Sequence, residues 1–445
     1  MQDLRNFLAI LEQRGDLGRI KREVDPIHEV AAVMKRSSEV NGPALLFENV
    51  RGSKIRLAGN VVAARQRVAV ALGTTTEELL ETYRQRLRAP IAPVKVNEPG
   101  QTETISGLSA LPIIKLSERD AGRYMTAGVI FAAHPETGKI NLSFQRMCPV
   151  SDDSVAIFAG ETSDLYTYLI AAKGKPLPVA VAIGLHPAFF LVAGTRFPAE
   201  EEEIALAGGL LGEPVRLNKS IHGQWIVPEA AEIVLQGEID FQNQVPEGPF
   251  GEYTGYYGAG TLQPRLSPIL RFQSMKTKKE PIYQTVITGP TLGYESAHLS
   301  PLSKEAMLYA KLSKMYPSVQ RVSLCMGRYM AAVQVDENFP DEDAKRLMND
   351  VFTASVYIKY AILVDSDVDV MDPRDVLWAM STRVDPGKHM HIFGNMVMET
   401  LDPSTDGRCD KVGFDARKPK GEIEGFVRTR IPGSENIRIE EYLPR

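Results

Sequence analysis

The sequence predicts a multidomain α+β protein, and three observations predict it. The chain has 445 residues, enough for two or three domains that each bury a core. Its hydrophobic texture changes twice: to short β-branched runs near residue 105, and to alternating helices and strands near residue 300. Residues 89–104 (APIAPVKVNEPGQTET) hold three prolines and no apolar period, the pattern of a boundary. The expected units are 1–95, 105–295 and 300–445.

In the first unit, Leu4, Phe7, Leu8 and Leu11 recur at helical spacing, with Asp3 as cap and Gly15 as stop. LGRIKREV reads as a strand, and a helix runs from about His28 to near Gly42. ALLFENV and IRLAGNVV flank Arg51 to Lys54 as a hairpin. Thr75 and Glu78 form a capping box for TEELLETYRQRLR. The unit is mixed α+β.

In the second unit, TAGVIFAA and INLSFQRM flank His134-Pro-Glu-Thr-Gly138 as a hairpin. PVAVAIG, FFLVAG, PVRLN, AEIVLQGEID and SPILRFQSM continue a strand series that suggests a β-barrel or sandwich. One helix, around Glu201 to Leu211, interrupts it. Leu177 to Gly194 is the longest apolar stretch, but Pro178, His186 and Pro187 break it into two short buried strands, not a membrane span. The third unit begins with a helix over Lys304–Lys314. A helix over Asp341–Phe352, the strand YAILVDSDVDV and a helix after Pro373 follow. The last forty or so residues are polar and are expected to wrap another surface or subunit.

Lys and Arg total 51 against 56 Asp and Glu, a net charge of −5 with no long like-charge run. Nucleic-acid binding by bulk electrostatics is therefore not expected. Cys148, Cys325 and Cys409 lie far apart, which gives neither a disulfide framework nor a thiolate zinc site and suits a reducing cytoplasm. The N-terminus does not read as a signal peptide.

Nucleophile-elbow, Walker, HExxH and dinucleotide-binding motifs are absent. His389 and His391 are two apart, which is as much a surface as a ligand spacing. The densest segment is VPEGPFGEYTGYYGAG, residues 245–260. Residues five apart on a regular strand point to opposite faces, but the Gly248-Pro249 turn can bring Glu247 and Glu252 to one side. Two close carboxylates in an aromatic wall raise one pKa and leave an acid able to donate at neutral pH. A solvated turn with two ordinary glutamates is the plainer reading. Arg146, after the PETG hairpin, can clamp a carboxylate bidentately or be an edge-strand surface residue. The acidic run Glu200–Glu203 can simply cap a helix, or one member can ligate a cation.

In order and spacing these segments resemble the UbiD family of prenylated-flavin-dependent (de)carboxylases. The likeness is carried by Tyr124-Met-Thr-Ala-Gly-Val, His134-Pro-Glu-Thr-Gly-Lys-Ile-Asn141, Arg146 and Glu203-Ile-Ala-Leu-Ala-Gly-Gly-Leu-Leu-Gly. It continues through VPEAAEIVLQGEI, PEGPFGEYTGYY, Lys359-Tyr-Ala-Ile-Leu-Val-Asp-Ser-Asp and VLWAMSTRVDP. It extends from Met1 to about Pro386. The resemblance implies an N-terminal α+β domain, a central split β-barrel holding the flavin, and a C-terminal α/β domain making dimer contacts. It implies a Glu-Arg-Glu network of Arg146, Glu247 and Glu252, with Glu252 as proton donor. It further implies Asn141 and Glu203 as metal ligands, and Asn141, Phe144, Gln145, Arg146, Glu203 and Lys359 around the cofactor.

The implied cofactors are prenylated FMN, Mn²⁺ or Mg²⁺, and K⁺. The flavin would come from a UbiX-type flavin prenyltransferase, and the assembly would be a homodimer or hexamer in the cytoplasm. One departure is clear: the family's metal-binding His falls near Phe158, and residues 147–185 contain no His. Glu161 or Asp164 is a possible substitute. The implied substrate is a small aromatic, heteroaromatic or α,β-unsaturated carboxylic acid, bound where the barrel meets the C-terminal domain. Furan-2,5-dicarboxylate fits best if His298 and Lys304 hold a second acidic group; a helix-capping His and a solvated Lys are their bland reading. The alternatives are a phosphorylated unsaturated acid, an NAD(P)H:flavin oxidoreductase, or a non-catalytic subunit of a carboxylase complex.

Overall fold

The first helix, Leu4–Gln13, begins where the Asp3 carboxylate accepts from the Asn6 amide at 2.8 Å, and Leu4, Phe7, Leu8 and Leu11 form its buried stripe. The computed structural model describes residues 3–98, 100–161, 163–198, 200–257, 262–289, 294–324, 327–419, 423–429, 431–433, 436–437 and 441–442, with backbone alone at 297–300. The stripe packs with Leu46, Ala58 and Ile282 of a four-stranded sheet. Its order is Leu17–Ile20, Ala44–Phe47, Arg56–Gly59, Ile282–Gln284. The middle pair is the antiparallel hairpin the sequence predicts. The last strand returns from the end of the central sheet and pairs in parallel with Arg56–Gly59. Arg5 fastens this junction, reaching both oxygens of the fully buried Glu232 side chain at 2.8 Å.

The central sheet has eight strands. Its path runs Ile140–Phe144, Val129–Ala133, Leu177–Ile183, Ile233–Glu247, Arg265–Thr277, Ser154–Ile157, Met147–Ser151, and Glu103–Thr104 pairs separately with Arg265–Thr277. Side-chain alternation lets it bury both faces. Val129, Phe131, Ala180 and Ala182 pack into one core with the helices Pro187–Ala193 and Glu203–Leu211, while Ile130, Ala132, Val179 and Val181 pack into the other. The sheet does not close. Its end strands, Ile140–Phe144 and Met147–Ser151, are consecutive in the chain and leave Gln145 and Arg146 at an open seam.

Two expectations are corrected. FFLVAG is not a strand: it belongs to the helix Pro187–Ala193, where His186 Nδ1 accepts from the Ala188 amide and Pro187 occupies the first turn. A continuous apolar run does not distinguish strand from buried helix, and the cap and proline decide it. The C-terminal sequence is also not simply a wrapping tail. The C-terminal sheet runs Val319–Ser323, Met330–Val335, Tyr360–Asp365, Arg408–Asp415, Met390–Val397, so Arg408–Asp415 is an interior strand. Its charge hides this, because Lys411 is buried with its ammonium 3.5 Å from the Ser355 and Val356 carbonyls. The helix expected over Lys304–Lys314 is longer, Ser296–Met315. Among the described residues, no helix is long and apolar enough to cross a membrane.

Arg5→Ala leaves buried Glu232 with the Ile282 amide at 3.1 Å and Lys278 at 3.9 Å. The expected cost is about 1–3 kcal/mol, the penalty for stripping a charged partner from a buried carboxylate. A urea unfolding midpoint equal to that of the unaltered protein would contradict this role.

Candidate active site

Arg146 lies at the seam of the central sheet with its side chain only 12% exposed. A guanidinium there needs acceptors, since an unpaired buried charge is strongly disfavoured. Its Nε and Nη2 donate to the two oxygens of Glu247, each at 2.9 Å, and Nη1 donates to Glu252. The Tyr124 hydroxyl donates a further bond to Glu247 at 2.9 Å, and the Glu247 side chain is fully buried. The Phe158 and Phe250 rings lie against the guanidinium, 4.4 and 4.9 Å from it. Phe158, where the family's histidine is expected, therefore packs on the arginine.

The turn between the two glutamates is built to bring them together. Gly248 takes φ +96°, which favours glycine, and redirects the chain as the strand Ile233–Glu247 ends. The Asp120 carboxylate accepts from the Gly251 and Ser117 amides at 2.8 Å, and the Ala121 amide donates to the Pro249 carbonyl at 2.8 Å. These bonds pin the turn, so both carboxylates reach Arg146. The pairing read from the Gly-Pro spacing is present. Burial holds the Glu252 carboxyl above the usual carboxylate range despite the opposing pull of Arg146. Burial also pushes the nearby Cys148 thiol up to about 11, which disfavours the nucleophilic thiolate.

A second polar group lies on the first strand of the seam. The Asn141 amide donates to Glu203 at 3.0 Å, and the Leu142 amide donates to the same carboxylate oxygen at 2.5 Å. Both side chains are buried, and Asn141 Oδ1 has no hydrogen-bond partner. Burial pushes the Glu203 carboxyl up to about 7, and the charge of Asp164 adds to it. An orphaned amide oxygen beside carboxylates forms an oxygen donor set suited to a hard cation. Among the described residues, no cluster of three or more His, Cys, Asp or Glu forms a self-evident metal site.

The remaining sequence-nominated residues fall elsewhere. Phe144 packs edge-on against Phe190 with ring centres 4.8 Å apart, and Gln145 is half-buried beside Arg146. Lys359 donates to Asp402 at 2.9 Å and Ser404 at 2.6 Å in the C-terminal domain. Lys304 lies 4.3 Å from the Tyr357 ring centre. His298 belongs to the helix Ser296–Met315, but its side chain lies outside the described residues. Sequence reasoning missed Asp120, Phe250 and Tyr253 as parts of the site. Tyr253 donates to Glu399 of the C-terminal domain at 2.6 Å, so the turn that carries Glu252 is tied to that domain. Its signal was present in the sequence, an aromatic residue directly after Glu252.

Three family profiles cover most of the chain. They are the N-terminal domain of 3-octaprenyl-4-hydroxybenzoate carboxy-lyase at residues 8–87, its Rift-related domain at 86–291 and its C-terminal domain at 297–416. Anhydromevalonate phosphate decarboxylase from Methanosarcina mazei is 32% identical, covering 96% of this chain and 99% of that protein. The UbiD-class enzyme HmfF from Pelotomaculum thermopropionicum, solved with FMN, is 32% identical and covers 100% of both chains with a TM-score of 0.92. Apo 3,4-dihydroxybenzoic acid decarboxylase from Klebsiella pneumoniae is 25% identical, covering 97% of each chain with a TM-score of 0.88.

Tyr124→Phe removes one donor from the buried Glu247 carboxylate. Stability should fall by about 1–3 kcal/mol in chemical denaturation, the scale for an unmade bond to a buried charged group. An unchanged midpoint would mean that Arg146 alone satisfies Glu247.

Proposed function

This chain belongs to the UbiD family, and we propose that it uses prenylated FMN to remove CO₂ from an aromatic, heteroaromatic or α,β-unsaturated carboxylic acid. The observation that carries this reading is the asymmetry around Arg146: Glu247 is fully buried and takes two of its bonds, while Glu252 takes one and keeps a 16% exposed side chain. Glu247 fixes the guanidinium. Arg146 then orients the substrate carboxylate. Glu252 delivers a proton to the carbon that loses CO₂, with burial raising its carboxyl above the ordinary value so that it holds a proton more readily than a solvated glutamate. When bound, the prenylated flavin supplies the electron sink for that carbon.

The residues suited to hold the cofactor are Asn141, Phe144, Gln145, Arg146 and Glu203 along the seam, with Lys359 from the C-terminal domain. Asn141 and Glu203 would ligate Mn²⁺ or Mg²⁺ with K⁺ as companion, and Glu161 or Asp164 is the carboxylate available in place of the histidine. A UbiX-type flavin prenyltransferase would supply the flavin, and a homodimer or hexamer is the proposed assembly.

For the substrate we favour a furan dicarboxylate, supported by basic residues beyond the catalytic turn, Lys304 and His298. A phosphorylated unsaturated acid is the second reading, favoured by the similarity to anhydromevalonate phosphate decarboxylase. Family membership weighs against the flavin oxidoreductase reading. CO₂ release by the protein alone, after co-production with a flavin prenyltransferase, would set aside the non-catalytic-subunit reading.

Glu252→Gln keeps the shape of the side chain but removes its transferable proton. Turnover should fall at least ~100-fold with flavin content near that of the unaltered protein. Retention of most activity would overturn Glu252 as the donor.

The cation reading has its own pH signature. Glu203 is raised from 4.5 to about 7, so its contribution to stability is complete below its unfolded value and is lost as pH rises through about 7. A divalent cation binds the ionised form and offsets that loss. Mn²⁺ should therefore raise the Tm more at about pH 8 than at about pH 6, and Glu203→Ala should lose cation and flavin together. An equal rise at both pH values would remove Glu203 from the cation site.

A further inference from the structure

A proton donor that works in cycles must recover its proton from solvent, and the surroundings of Glu252 show where it can do so. Glu252 lies on a recess that Arg146, Glu247, Tyr257, Gln263 and Arg265 also line. Gln263 is exposed, Tyr257 and Arg265 are half-buried, and the Glu252 side chain is 16% exposed. The Tyr257 hydroxyl accepts from the Arg119 amide at 3.0 Å, which fixes that wall of the recess.

Arg265 is placed there by register and by packing. It begins the strand Arg265–Thr277 and pairs directly with Glu247, the last residue of Ile233–Glu247, so the two side chains share a face of the sheet. Its guanidinium lies 5.7 Å from the centre of the Phe158 ring, the ring that Arg146 covers at 4.4 Å. Glu247 is already engaged by Arg146 and Tyr124, and among the described residues no carboxylate forms an ion pair with Arg265. The charged groups around the Glu252 carboxylate are therefore Arg146 from the seam, Glu247 from the end of its strand and Arg265 from the start of the next. Asp120 is occupied by the Gly251 and Ser117 amides, and on the other flank Tyr253 carries Arg328 on its ring and donates to Glu399. Arg265 and Arg146 both favour the ionised form of Glu252, against its burial.

We propose that Arg265 is a positioning residue for the proton donor, holding a positive charge at the recess where Glu252 is reloaded from solvent. The proposal rests on the decarboxylase reading above and deepens it. The Glu252 O–H bond breaks as a C–H bond forms on the carbon that has lost CO₂, and a solvent proton then restores the O–H bond. Between these two steps the carboxylate is charged in a largely buried place. Arg146 alone cannot serve it fully, because two of its bonds go to Glu247. Arg265 supplies the second positive charge, so the donor releases its proton more readily than burial alone would allow.

The test titrates the Glu252 carboxyl in cofactor-loaded protein by infrared difference spectroscopy, with Glu252→Gln identifying its C=O band. The midpoint should rise by ~0.5 pH unit or more in Arg265→Gln and stay near that of the unaltered protein in Arg265→Lys, the scale for one nearby charge partly screened by solvent. Arg265→Met keeps an aliphatic stem against Phe158 and is the second neutral variant, expected to match Arg265→Gln. The alkaline fall in kcat for CO₂ release should move by the same amount, with KM little changed. A purely structural role would lower stability without moving the midpoint. An unmoved midpoint in the neutral variants, or an equal rise in Arg265→Lys, would overturn the proposal. If the unaltered protein releases CO₂ from no acid offered, the decarboxylase reading is what fails, and the infrared midpoint still decides whether Arg265 acts on Glu252.

Discussion

The buried pair between Arg146 and Glu247 is the contact around which the site is organised. Neither charge is tolerable alone at a seam whose walls include Phe158 and Phe250. Together they form a two-bond fork, and Tyr124 satisfies a further acceptor position on Glu247. The fork fixes the guanidinium plane, and that plane fixes where Glu252 must sit. The open seam of the central sheet follows the same logic. The two end strands leave Gln145 and Arg146 between them, and the Arg146 side chain reaches the turn that carries Glu247 and Glu252.

The scaffold holds the second half of the site at a distance along one strand. Asn141 lies on the strand Ile140–Phe144 and Arg146 follows its end, five residues on, so the two polar groups are placed by neighbouring stretches of one chain segment. Tyr253, bonded to Glu399, then ties the catalytic turn to the C-terminal domain. The N-terminal sheet borrows Ile282–Gln284, the segment that leads toward the helix Ser296–Met315. Buried Glu305 of that helix accepts from Arg65 at 2.8 Å and from the Leu324 amide at 2.8 Å. Buried Glu305 and half-buried Glu399 therefore tie the C-terminal part of the chain to the rest of the fold.

Much of this was legible in the sequence where local chemistry and periodicity agree. Asp3 and the Leu4–Leu11 stripe specify the first helix, and the His134–Gly138 turn specifies its hairpin. The carboxylate pairing of Glu247 and Glu252 was legible because Gly248-Pro249 breaks strand alternation at the required place. The run Pro187–Ala193 was misread because full burial erases the periodicity that separates strand from helix. Arg408–Asp415 was misread because its buried lysine gives an interior strand the composition of a tail. Asp120 was invisible for another reason: the turn it pins through the Gly251 amide lies 131 residues away along the chain, and spacing carries no signal at such a separation.

The central claim is that Glu252 donates the proton beside an arginine already engaged by Glu247, with burial raising its carboxyl above the ordinary value. The pH dependence of kcat for CO₂ release by the cofactor-loaded protein tests it most directly, because kcat reports groups in the substrate complex. The account predicts a plateau at lower pH and a one-proton fall on the alkaline side, at a value above the ordinary carboxylate range, with the fall absent from the residual activity of Glu252→Gln. A rate that instead rises as pH increases through the ordinary carboxylate range, or an alkaline fall retained in Glu252→Gln, would contradict it.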